Sequence, residues 1–336
     1  MEEIKCMNWL DKFDKLKVEI TSHCNAKCPG CTRNITGGKN QPDLKLEHMP
    51  FELWERIMHE DTKGMNIVEV LFDGTVGDFC MNPKAIDFIK TAHDAHPDMF
   101  LQINTNGGAR TEKWWAEFGE VIAEIPHRVN FAIDGLEDTH HIHRRNTSYD
   151  IVVRNMKAFI STGGNANWIF TYFDHNLHQY KEAEQRAIDM GCYWFQTRWS
   201  CIPGEDLDTK TDTEEYKIGT EHIYEHKEYM KHTRILKHMQ PEYDEESHMC
   251  PAYATSQITI DFRGILWPCS YIYSTEVRTR EFASPFRNEM QDPGETISLH
   301  KHTLSDILTN KFFKDQLPDA ITNKKLSICN MWCFNN

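Results

Sequence analysis

Cys24-Asn25-Ala26-Lys27-Cys28-Pro29-Gly30-Cys31 follows closely on Leu16-Lys17-Val18-Glu19-Ile20. The alternation of apolar and charged residues in the second stretch predicts a β-strand. Three thiols therefore crowd into a loop just past a strand end. Thiolates are soft ligands, and sulfur-only sites select zinc or iron–sulfur clusters. A structural zinc site wants four ligands. Three closely spaced cysteines instead leave one metal of a four-iron cluster open to an outside ligand. A zinc knuckle, or an ordinary cluster with a distant fourth thiol, is the competing interpretation.

The bulk numbers bound the rest. A chain of 336 residues suggests one large domain, or a domain plus an extension, with room for a sizeable core. No run of about 18 apolar residues occurs, so no transmembrane helix is expected. The first six residues, Met1 to Cys6, lack a basic region followed by an apolar stretch; no signal peptide is expected, and the cytoplasm is the default location. Eleven cysteines in such a compartment are not expected to form disulfides, and the clustered ones are better read as metal ligands. The net charge of −14 argues against a broad nucleic-acid surface, which would need clustered Lys and Arg; its plain meaning is solubility.

Strand-like segments at 16–20, 67–72, 100–104, 129–133, 167–173 and 193–199 alternate with helix-like segments at 50–60, 83–96, 112–124, 149–162 and 177–190. That order predicts a parallel sheet with right-handed crossovers. Segment 35–49 is polar and Gly-rich and reads as a loop. A turn-rich connector follows at 202–206, then a charged helical stretch at 213–239. The latter holds His222-Ile223-Tyr224-Glu225-His226, formally an inverted zinc-peptidase pattern. Its Lys- and Glu-rich surroundings favour a solvated helix face.

The C-x3-C-x2-C spacing after a first strand resembles the signature of the radical S-adenosylmethionine enzymes. The resemblance implies a partial (β/α)6 barrel of TIM type, with chemistry at the C-terminal strand ends. It also implies a [4Fe–4S] cluster on Cys24, Cys28 and Cys31, whose fourth iron is chelated by S-adenosyl-L-methionine. Reductive cleavage then gives a 5′-deoxyadenosyl radical, while the protein orients the reactants and excludes water. Gly30 stands where the family commonly has an aromatic residue, so another side chain must cover that face.

Weaker matches fall in order along the chain. Asp73-Gly74-Thr75-Val76-Gly77-Asp78-Phe79 partly resembles the family's Gly-Gly-Glu-Pro motif, which carries over Gly77 and Asp78 to the amino group of the cofactor. Asn104-Thr105-Asn106-Gly107 resembles a Thr-Asn-Gly strand end, nominating Asn106; a structural turn fits equally well. Phe131-Ala132-Ile133-Asp134-Gly135 resembles a Ser-Ile-Asp-Gly stretch, with Arg144 at the family's spacing from Asp134. The Arg144 fork suits the carboxylate of S-adenosylmethionine. Ala132 replaces the serine. His140, His141 and His143 are expected to be polar surface. Aromatics on strands five and six, such as Trp168, Tyr172 and Phe173, are expected to line the core.

Past the barrel, Cys250, Cys269, Cys329 and Cys333 frame a β-hairpin around Phe262-Arg263-Gly264 and a helical stretch at 302–316. This order resembles the shortened, Twitch-type auxiliary-cluster extension found after some radical S-adenosylmethionine barrels. It implies a second [4Fe–4S] cluster, although a zinc site would use the same four thiols. Full thiolate ligation suits electron transfer. The expected architecture is α/β: a barrel at 1–205, a helical linker at 206–248 and a small α+β auxiliary domain at 249–336. Cys6, Cys80, Cys192 and Cys201 are not paired by spacing and read as buried thiols; Cys80 and Cys201 also lie where a catalytic hydrogen-atom donor could work. The resemblance implies net oxidation of a small molecule, fed by a reductant such as flavodoxin or ferredoxin. A peptide-modifying maturase and a non-catalytic electron carrier or sensor are the alternatives.

Overall fold

The computed structural model describes residues 8–35, 37–199, 250–278, 296–323, 325, 326 and 329. A short helix α1 (Trp9–Lys12) leads into β1 (Lys15–Val18). Then follow α2 (Phe51–Arg56), β2 (Glu69–Phe72), α3 (Ala85–Ala95), β3 (Phe100–Thr105), α4 (Glu112–Ile122) and β4 (His127–Ala132). After these come α5 (His140–His143), α6 (Tyr149–Ser161), β5 (Ala166–Tyr172), α7 (Tyr180–Met190) and β6 (Trp194–Trp199). The six strands and the longer helices lie within a few residues of their expected positions. Local chemistry sets the ends. Thr111 caps α4 by accepting a hydrogen bond from the Trp114 amide. Gly191, at φ +83°, closes α7 in the left-handed region that favours glycine.

The strands form one open sheet in the order β6-β5-β4-β3-β2-β1-β7-β8. All neighbours from β6 to β7 are parallel. Residues assigned to the C-terminal region therefore share the barrel sheet. β7 (Gln257–Ile260) pairs with β1, Lys17 standing beside Thr259, and β8 (Leu266–Trp267) folds back antiparallel. The expected hairpin is present. Asp261 organises its turn by accepting from the amides of Arg263 and Ile265 and from the Trp267 indole.

The two faces of the sheet differ. Leu16, Val18, Val70, Phe72, Leu101 and Ile103 point to the helices and are fully buried. There Trp115, Phe118, Phe131 and Phe159 pack between α4, α6 and the sheet. The other face carries a polar ladder. The Asn167 amide donates to Asn130 at 3.1 Å, Asn130 to Asn104 at 2.7 Å, and Asn104 to Asp73 at 2.8 Å. Lys17 closes it with an ion pair to Asp73 at 2.7 Å. Among the described residues, no helix is long and apolar enough to cross a membrane.

Candidate active site

A pocket of about 430 Å³ lies at the C-terminal strand ends. Cys24, Cys28 and Cys31 line it together with Gly77, Asp78, Asn106 and Arg144. The thiols share this wall without converging on one point: among the described residues, no three His, Cys, Asp or Glu side chains are placed to hold a single ion. Burial pushes all three thiols up, Cys31 to about 11, with neighbouring negative groups adding to it. Thiols raised in this way are protonated at neutral pH, and any metal bound there would have to displace the proton. Gly30 also lines the pocket.

The loop after β2 buttresses the thiol loop. A Cβ on Gly77 would lie 1.9 Å from the Thr21 carbonyl oxygen, so only glycine lets the two backbones meet. The Asp78 amide donates to the His23 carbonyl at 2.8 Å. The Asp78 carboxylate accepts from the Cys80 amide, the Thr105 hydroxyl, and both the backbone and side-chain amides of Asn106. Four donors use up its lone-pair positions. Burial alone would raise its pKa further than these hydrogen bonds allow, and the net direction is upward. The Asn106 side-chain amide also reaches Cys24 Sγ at 3.6 Å.

Beside Cys28, Arg144 Nε donates to Asp134 at 2.6 Å, and Arg144 Nη1 lies 3.9 Å from Cys28 Sγ. Asp134 is wholly buried and also accepts from the Thr171 amide at 2.7 Å. Burial opposes its charge, yet Arg144 and His143 hold its pKa below the ordinary value.

The histidine expectation needs correcting, because His140 and His143 are buried. Helix α5 turns them inward. His143 stacks on Phe173 at 4.2 Å and lines the pocket, and His140 meets the Thr147 hydroxyl at 2.9 Å. Burial lowers them to about 3 and about 4, so both are neutral at pH 7. Cys80 sits in the turn Phe79–Met81, fully buried and not itself among the pocket-lining residues, with its Sγ 3.5 Å from the hydroxyl of the lining residue Thr105. Cys201, Cys333 and the 222–226 histidine pattern lie outside the described residues.

Sequence reasoning missed Asp73, Asn104, Asn130 and Arg33, all of which line the pocket. The strand-end positions of the first three were the available signal. Asp73 is held near 2, against burial, by Lys17 and Asn104. Glu19, wholly buried, accepts from the amides of Thr75 and Val76. Burial and the nearby Asp73 charge raise it to about 8.

A second, smaller pocket of about 140 Å³ gathers Cys250, Cys269 and Cys329 with Pro268, Leu317 and Ile321.

Comparisons with known proteins bear on the family and the fold. The chain is 28% identical over 129 residues to a GTP 3′,8-cyclase of Nautilia profundicola, covering 38% of this chain. It spans only about a third (36%) of that relative's length. Streptococcus suis SuiB bound to its precursor peptide SuiA superposes with a TM-score of 0.64 at 12% identity, over 94% of this chain and 68% of SuiB. SuiB bound to S-adenosylmethionine gives 0.55 at 15% identity, over 78% of this chain and 61% of that one. The structure of anSMEcpe with bound AdoMet gives 0.59 at 13% identity, over 95% and 84%. At such identities the structures show a shared fold alone. The radical SAM superfamily is matched over residues 18–185, half of the chain. With the three-thiol loop after β1 and the open parallel sheet behind it, this chain belongs to the radical SAM superfamily.

Proposed function

We propose that Cys24, Cys28 and Cys31 ligate a [4Fe–4S] cluster and that S-adenosyl-L-methionine binds its open iron across the pocket. The observation carrying this is that those thiols line one pocket together with Gly77, Asn106 and Arg144. Three soft donors, with no fourth thiol lining the same pocket among the described residues, fit a cluster with one exchangeable position. When bound and reduced, this pair supplies a 5′-deoxyadenosyl radical that abstracts a hydrogen atom from the substrate.

The chain's own residues do the holding. Arg144 presents its fork to the cofactor carboxylate, and Asp134 fixes the fork's angle. Asp78, with its acceptors already engaged, acts as a positioning residue for Asn106 and the thiol loop rather than as a direct partner of the cofactor. Phe173 and His143 supply a flat, uncharged wall that keeps water from the reacting centre. The polar ladder Asn130–Asn104–Asp73 gives the pocket a floor of fixed amide and carboxylate dipoles for a polar substrate.

Cys250, Cys269 and Cys329, with Cys333, are proposed to hold a second [4Fe–4S] cluster of Twitch type. Complete thiolate ligation makes electron transfer its role, which suits net oxidation of a small molecule with a flavodoxin- or ferredoxin-like reductant. A peptide substrate is the second candidate, supported by the SuiB fold holding its precursor peptide. Deuterium transfer into 5′-deoxyadenosine from labelled candidates of each class separates the two. Transfer from a peptide and from no small molecule would reverse the order.

A further inference from the structure

Arg33 is a buried cation beside the thiol loop. It lies two residues beyond the last thiol, is 3% exposed, and lines the same pocket. Its Nε donates to the Val76 carbonyl at 2.8 Å, its Nη2 to the Ser22 carbonyl at 3.0 Å, and its Nη1 to the Cys24 carbonyl at 3.5 Å. These acceptors are neutral. Lys17 and Arg144 pair with Asp73 and Asp134 at 2.7 and 2.6 Å. Arg33, by contrast, makes no ion pair among the described residues. Taking a cation out of water is expensive unless negative charge faces it. The thiols of Cys24, Cys28 and Cys31 line the same pocket as this cation.

We infer that Arg33 is the fixed positive charge that compensates the three-thiolate cluster and raises its reduction potential. The inference rests on Cys24, Cys28 and Cys31 being the ligands. One electron from an external low-potential reductant enters the cluster; no bond forms or breaks, and cluster plus thiolates become one unit more negative. A cation held close by in a weakly screened interior stabilises that reduced state. Arg144 contributes less net field, because Asp134 neutralises it. A guanidinium is well suited here, because its planar fork satisfies three carbonyls at once and so keeps the charge in place.

The competing role is stitching alone, since the same hydrogen bonds tie Ser22, Cys24 and Val76 together. Arg33→Lys keeps the charge and loses the fork; Arg33→Gln keeps some hydrogen bonding and loses the charge. After anaerobic reconstitution, iron per chain and the midpoint potential are measured. The potential is followed on the electron paramagnetic resonance signal that S-adenosylmethionine perturbs. The expected result is a more negative midpoint in Arg33→Gln and a near-wild-type midpoint in Arg33→Lys. An unchanged midpoint in Arg33→Gln, or an equal fall in both variants, overturns the inference. If Arg33→Gln retains no iron, Arg33→Lys decides alone: iron retained with a wild-type midpoint upholds the charge, and lost iron or a lowered midpoint refutes it. A wild-type signal that survives Cys24→Ala would instead refute the ligand assignment beneath it.

Discussion

Asp78 and Asn106 are joined twice. One carboxylate oxygen accepts both the backbone and the side-chain amide of Asn106, each at 2.7 Å. The same side-chain amide reaches Cys24 Sγ at 3.6 Å. Through these bonds the loop after β2, the end of β3 and the thiol loop behave as one unit. Asp78→Ala strands buried donors, each costing roughly 1–3 kcal/mol. Its urea midpoint should fall, and iron retention with it, while Asp78→Asn, which keeps one acceptor oxygen, should fall less. A wild-type midpoint with full iron in the alanine variant would show that this bracket is dispensable.

Gly77 tests the same buttress by steric means. A methyl group there meets the Thr21 carbonyl oxygen at 1.9 Å. Both atoms belong to backbone-fixed positions, so the thiol loop has to move. Gly77→Ala should cost about 1–3 kcal/mol and reduce iron per chain after reconstitution. Retention of iron equal to the wild type would mean that the two loops separate without cost.

Arg144 should divide binding from folding. In the proposed role it holds the cofactor carboxylate, so replacing it with Met would remove charge-assisted hydrogen bonds worth about 1.5–3 kcal/mol, and S-adenosylmethionine should bind roughly ten- to a hundredfold more weakly. The same change leaves Asp134 buried without its cation, a penalty of about 3–5 kcal/mol in stability. Adding Asp134→Asn should recover much of the stability and none of the affinity. Isothermal titration together with urea unfolding of the single and double variants measures both. Recovery of affinity in the double variant would remove Arg144 from the cofactor site.

Glu19 makes a prediction about pH. Its folded-state pKa of about 8 lies above the ordinary carboxyl value of 4.5 because of burial and Asp73. In that window the folded chain keeps a proton that the unfolded chain releases, so stability declines as pH rises from about 4.5 to about 8. Glu19→Gln carries no titrating proton and should flatten that part of the profile. Urea midpoints at several pH values compare the two; parallel slopes would mean that Glu19 ionises normally.

Much of this is legible in the sequence itself. The alternation in 16–20 and the spacing of Cys24, Cys28 and Cys31 located β1 and the loop beyond it, because a strand's period and a ligand's chemistry are local properties. The pairing of β7 with β1 was not legible. Ile258 and Ile260 alternate as any strand does, and alternation does not name a partner. His140 and His143 were misjudged for a related reason: a short polar run gives no sign that its helix turns back onto Phe173. Arg33 carried no signal of its own. An arginine in a loop is ordinarily solvated, and only the tertiary fold brings Val76 across to meet it. Lys17, Asp73 and Asn104 form their ladder across strands far apart in sequence, so no single window of residues contains it.

The most direct test of the catalytic assignment counts metal and follows the cofactor in one experiment. Iron and sulfide per chain are measured after anaerobic preparation, with 5′-deoxyadenosine release under dithionite, in wild type and in a Cys24→Ala/Cys28→Ala/Cys31→Ala variant. Two four-iron clusters predict about eight irons in the wild type, falling to about four in the variant, with S-adenosylmethionine cleavage abolished. Equal iron in both proteins, or cleavage that persists without the three thiols, would contradict the claim that this loop holds the catalytic cluster.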